Sequence, residues 1–153
     1  MKGMAILSLI ILACYICGMW GRYGRQEVIS EYAYKGDAWQ FSLSIGLPAA
    51  LLMPWMIERA PENFQFLGFL APAALLFVAA APHYKDEDSK VHKWAAIMAA
   101  VFCVMWGLAV NPGIPVMLAI IYALLYPLDE KGRWSNAELF GLAIPYLALV
   151  IRN

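Results

Sequence analysis

Charge is scarce in this chain, and long stretches have none. Asp, Glu, Lys and Arg make up 14% of its 153 residues, against roughly 25% in an ordinary soluble domain. The two signs balance at 11 residues each, so there is no basic excess to follow a phosphate backbone, which argues against nucleic acid as a partner. Cysteine is equally sparse. Cys14, Cys17 and Cys103 cannot build a disulfide framework. The C-x-x-C formed by Cys14 and Cys17 sits in an apolar run with no neighbouring cation to create a thiolate, so all three read as buried, inert thiols. Histidine occurs twice, at His83 and His92, and never after them; no closed zinc-ligand spacing results. No ionisable residue lies within the apolar parts of the chain, where ion-coupled transporters usually expose their pathways.

What is abundant is apolar surface. Hydrophobic residues make up 63% of the chain and its mean hydropathy is +0.63, whereas a soluble core of this size is built with about 45–50%. Lipid is therefore the expected solvent. Six apolar runs, at residues 4–20, 41–57, 64–82, 92–110, 114–128 and 137–151, predict an all-α integral membrane bundle of six transmembrane helices in a single domain, 1–153. Pro48 and Pro54 predict a kinked second helix, tolerable where neighbours re-satisfy the freed carbonyls. Asp37-Ala38-Trp39-Gln40 and Ser135-Asn136-Ala137-Glu138 both have capping-box spacing, which predicts helix starts there. Asn111-Pro112-Gly113 predicts a tight turn between the fourth and fifth spans. Small residues at 71–74 and 95–100 are expected to let helices approach closely.

The distribution of cations predicts an orientation. With six spans, Lys2, Arg59 and Arg152 share one side, while Arg22, Arg25, Lys35, Lys85, Lys90, Lys93, Lys131 and Arg133 share the other. The positive-inside rule then places both termini outside the inner membrane and the first, third and fifth loops in the cytoplasm. A competing reading takes Lys2 and the stretch Ile11-Leu12-Ala13-Cys14 as a lipoprotein signal; cleavage there would strand the same cations outside, so the multi-pass reading is preferred. Trp20, Trp39, Trp94 and Trp134 fall at the cytoplasmic ends, and Trp55 and Trp106 near the other face, as an aromatic belt would.

That topology brings Ser30, Glu31, Asp37, His83, Asp88, His92 and Glu138 to one side. Ser30 has no general base nearby in sequence, so as a nucleophile it would need His83 or His92 brought to it by the fold. These three are the catalytic candidates. Glu31, Asp37, Asp88 and Glu138 are the candidates for binding a substrate. Plain readings stand beside these: Asp37 and Glu138 as helix starts, Ser30 as a loop serine bonded to its own backbone, and the charged stretch 79–96 as a solvated inner loop that fixes orientation.

One group of motifs carries a resemblance. Ile29-Ser30-Glu31-Tyr32-Ala33-Tyr34 before a Trp-led span, Gln65-Phe66-Leu67-Gly68-Phe69-Leu70, Leu76-Phe77-Val78-Ala79-Ala80-Ala81-Pro82, and Val91-His92 opening the next span resemble small uncharacterised six-span membrane proteins of gut bacteria. That group is in turn similar to the ceramidase-like CREST superfamily of seven-span proteins, which includes amide hydrolases and receptors. The resemblance covers about residues 28–106. It implies a Ser, an Asp and three His holding a zinc that activates water, with Ser30 in the place of the serine and His83 or His92 in that of an early histidine. The late histidine pair and one span have no counterpart in this chain, so the zinc ligand set is incomplete; no cofactor is expected and no metal residue is assigned. Two expectations follow. The first is a non-catalytic bacterial membrane module that binds a lipid or membrane-protein partner through its cytoplasmic face; the second is a CREST-like hydrolase of a lipid or amide.

Overall fold

The computed structural model describes residues 1–80, 82, 90–128 and 133–151. Among them the chain is all-helical. Seven α-helices follow one another: α1 (Lys2–Tyr23), the single turn α2 (Tyr32–Lys35), α3 (Ala38–Arg59), α4 (Gln65–Ala80), α5 (Lys90–Val110), α6 (Gly113–Leu125) and α7 (Arg133–Val150). Short 3-10 turns, Ile29–Glu31 and Glu62–Phe64, lead into α2 and α4. Four of these elements, Lys2–Tyr23, Ala38–Arg59, Glu62–Ala80 and Val91–Val110, are long and apolar enough to cross a membrane. α6 is apolar but has 13 residues, short of the ~20 that a ~30 Å hydrocarbon layer asks for.

The first two expected helices extend outward by two or three residues at each end. The first run, read as 4–20, becomes Lys2–Tyr23, and the second, read as 41–57, becomes Ala38–Arg59. Hydropathy marks where apolar side chains stop, whereas a helix ends where its backbone bonds can be satisfied another way. α1 ends at Gly24, whose φ of 69° is in the left-handed region and whose N–H still donates to the Trp20 carbonyl. α3 begins at Asp37, whose carboxylate accepts the Trp39 N–H at 2.9 Å, so this expected cap is present. The second capping box is corrected: α7 starts at Arg133, and Ser135 is a buried residue within its first turn rather than its cap. Between α5 and α6 the expected tight turn is found, with the Asn111 side chain accepting the Gly113 N–H at 3.1 Å.

Five helices close into a ring in which α1 packs on α3, α3 on α4, α4 on α5, α5 on α7 and α7 back on α1; α6 leans on α5 and α7 from outside. Backbone approach sets the closest seam. A β-carbon on Gly68 of α4 would lie 2.7 Å from the backbone of Met56 and Ile57 in α3. The ring is tied across its middle by Trp106, whose indole N–H donates to the Met56 carbonyl at 3.0 Å while its ring packs on Trp55 at 5.7 Å. A second tie joins three helices: Ser8 donates to the Pro48 carbonyl at 2.8 Å, which leaves the Tyr146 hydroxyl, 2.7 Å away, to donate to Ser8. Pro48, Pro72 and Pro145 lie inside continuous helices and are all buried, so each faces neighbouring helices.

Outside, the ring is apolar. Leu43, Phe77 and Ile120 are each exposed by 57% or more of their surface, the pattern expected where hydrocarbon replaces water. Trp39, Trp94 and Trp134 are also well exposed at the loop-bearing end, as a belt requires, and Trp20 is partly so. Trp55 and Trp106 correct the sequence reading: they are 7% and 0% exposed and form core, not belt. The thiols are corrected as well. Cys14 and Cys17 are exposed on α1, and only Cys103 is buried, because α1 contacts the ring through one stripe and turns the rest outward.

Candidate functional site

At the end of the bundle that carries the 24–37 loop, a cavity of about 70 Å³ opens between α3, α4, α5 and α7, under the Ile29–Glu31 turn. Its walls are apolar, with Phe41, Ile45, Val78 and Cys103 among them, and its polar lining residues are Ser30, His92 and Glu138. Three different elements deliver these groups: the 3-10 turn presents Ser30, the start of α5 presents His92, and the second turn of α7 presents Glu138. All three are half-buried.

The turn is held over the cavity by α7. Glu138 Oε2 accepts the Ile29 N–H at 2.7 Å, and beside it Arg25 donates to the side-chain oxygen of Asn136. The Glu31 carboxylate lies close enough to act on Glu138 through charge. The turn is further braced where Tyr32 donates to the Gly24 carbonyl at 2.9 Å. A hydrogen bond with the Val78 backbone orients the His92 ring, which is what a base or a fixed donor needs. On its flank the cavity meets α5 and α7 at Ala100 and Gly141. Ala100 is exposed, and a β-carbon on Gly141 would meet nothing nearer than Ala100 at 3.9 Å, so a seam of small residues connects the cavity with the outer face of the bundle.

Of the sequence candidates, Ser30, His92 and Glu138 thus share one cavity. Asp37 does not belong to it: it is exposed and spent on capping α3. Glu31 stands beside the site, close enough to act on Glu138 through charge. His83 and Asp88 lie outside the described residues. Glu138 was expected as a helix start, and its place as the sixth residue of the 133–150 helix gives it a different role. The signal for that was present in its neighbours, since a carboxylate followed directly by Leu139-Phe140-Gly141-Leu142 stands at an apolar boundary. Among the described residues no group of three or more His, Cys, Asp or Glu could hold a metal; one imidazole and a carboxylate already bonded to Ile29 do not make a zinc set. No family model, curated protein or solved structure matches the chain.

Proposed function

We propose that this chain is a six-pass membrane protein with both termini outside, and that its inner end binds the polar head of an amphiphile. The four long helices supply four passes, and α6 and α7 continue the same alternation as a shorter pair, with Glu138 at the polar mouth just before the uncharged stretch from Leu139 onward. The observation that carries the reading is the single cavity in which Ser30, His92 and Glu138 face apolar walls. Its volume of about 70 Å³ is small beside the ~300–1,000 Å³ of a pocket that swallows a whole ligand. It suits a polar head, such as an acyl carbonyl or amide with its nearest carbons, while the chain lies along the Ala100–Gly141 seam in lipid. Ser30 and His92 offer donors to such a head, and Glu138 accepts or donates according to its protonation.

A direct test is native mass spectrometry of lipids retained on purification. Gly141→Leu, placed where a β-carbon meets nothing nearer than Ala100 at 3.9 Å, is expected to strip the retained amphiphile while leaving the thermal transition in place. Unchanged retention in that variant would sink the reading.

Ser30 and His92 on the same cavity also favour a second reading, a hydrolase of a lipid or amide that works through Ser30 itself rather than through the zinc-activated water that the CREST resemblance implies. In it the Ser30 hydroxyl attacks an ester or amide carbonyl, His92 takes its proton and returns it to the leaving group, and water then releases the acyl enzyme. A fluorophosphonate probe separates the two: labelling of wild type that disappears in Ser30→Ala and falls in His92→Ala establishes the enzyme, and no labelling leaves the binding module.

A further inference from the structure

The opposite end of the bundle carries a second cavity, and its chemistry differs. α1 and α3 run antiparallel, and the pairs Tyr15–Phe41 and Ser8–Pro48 keep one register. Extending that register to the start of α1 brings Met1 level with Trp55. There a cavity of about 370 Å³ is lined by Met1, Lys2, Trp55, Glu58 and Arg59. Trp55 is buried beneath it, whereas Lys2, Glu58 and Arg59 are exposed around it.

Three features identify the ligand chemistry. Two cations, one of them a guanidinium whose planar fork matches phosphate oxygens, converge on one space from two helices. Lys2 opens α1, whose first N–H groups have no side-chain cap, so the positive end of that helix adds to the field. Glu58 places one carboxylate on the same rim. A phosphate alone would engage the two cations and leave that carboxylate without a ligand partner. A phosphate that carries a primary ammonium uses all three groups: the phosphate between Lys2 and Arg59, the ammonium on Glu58. The cavity lies at the ends of two membrane-crossing helices, where lipid headgroups stand, and its volume falls within the range of a site that seats a small ligand.

We infer that Lys2, Glu58 and Arg59 form a headgroup site for a zwitterionic phospholipid bearing a phosphate and a primary amine. The site is separate from the Ser30 cavity and does not rest on the reading of that cavity.

The test is native mass spectrometry of the full chain in detergent, titrated with phosphatidylethanolamine, phosphatidylglycerol, phosphatidylcholine and inorganic phosphate. Phosphatidylethanolamine is expected to bind best. Lys2→Ala/Arg59→Ala should weaken both it and phosphatidylglycerol at least about tenfold, the loss expected for charged hydrogen bonds. Glu58→Gln should erase the preference for phosphatidylethanolamine over phosphatidylglycerol without lowering the affinity for the latter. Lys2→Arg/Arg59→Lys should retain binding, which separates loss of charge from loss of fold. Inorganic phosphate binding as tightly as the lipid would overturn the assignment to a lipid. Equal binding of all three lipids, or a Glu58→Gln variant that keeps the preference, would overturn the site. Gly141→Leu should leave every one of these values unchanged.

Discussion

Glu138 Oε2 accepts the backbone N–H of Ile29 at 2.7 Å, across 109 positions of sequence, and so joins the second turn of α7 to the turn that carries Ser30. The bond fixes where Ser30 stands relative to His92.

Gly68 should tolerate no side chain. A β-carbon there meets backbone of Met56 and Ile57 at 2.7 Å, and backbone in a packed helix cannot step aside. At Gly107 the nearest atoms are side chain rather than backbone, Ile144 Cγ2 at 2.5 Å and Pro115 Cγ at 2.8 Å, so relief there needs small shifts of whole side chains and not of a helix backbone. Gly68→Ala is expected to cost about 1–3 kcal/mol, the range for overpacking, and more than Gly107→Ala. Melting temperatures in the same detergent give the order; the reverse order would refute this account of the α3–α4 seam.

The Ser8 hydroxyl is the hub of a three-helix tie, accepting from Tyr146 and donating to Pro48. Ser8→Ala strands the buried Tyr146 hydroxyl, whereas Tyr146→Phe leaves Ser8 still bonded. The first should cost roughly 1–2 kcal/mol and the second about 0.6, near the mean for hydrogen bonds between membrane helices. The double variant should be no worse than Ser8→Ala, and additive losses would show that the two bonds are independent.

Topology is open to cysteine labelling once Cys14 and Cys17, both exposed, are replaced. Cysteines at Lys35 and Lys93 should react with a membrane-impermeant maleimide only after the cells are opened. One at Arg59 should react in intact cells. Reaction of Lys93→Cys in intact cells would invert the proposed orientation.

The sequence by itself determined most of the helices and predicted lipid as their solvent. A chain with 63% apolar residues and long uncharged runs exceeds the apolar share of a soluble domain, and its four longest runs form four helices long and apolar enough to cross a membrane, because helical backbone groups bond within the segment. Asp37 and the Asn111 turn were legible for the same reason, since caps and turns are satisfied within a few residues. Tertiary structure decided what those helices turn toward each other. That Trp55 and Trp106 are core, that Ser8 bonds to Tyr146, and that Ser135 is buried rather than a cap depend on partners up to 138 positions away, and an all-round apolar helix carries little periodicity to announce its inner face. The site divides along the same line. Ser30 and His92 were legible as polar groups on a shared side, but their meeting at one cavity with Glu138 required α5 and α7 to pack in parallel beneath the Ile29–Glu31 turn. That packing is closest at Gly107, where a β-carbon would lie 2.5 Å from Ile144 of α7, so the absence of a side chain, and not any chemical motif, lets the helices come together.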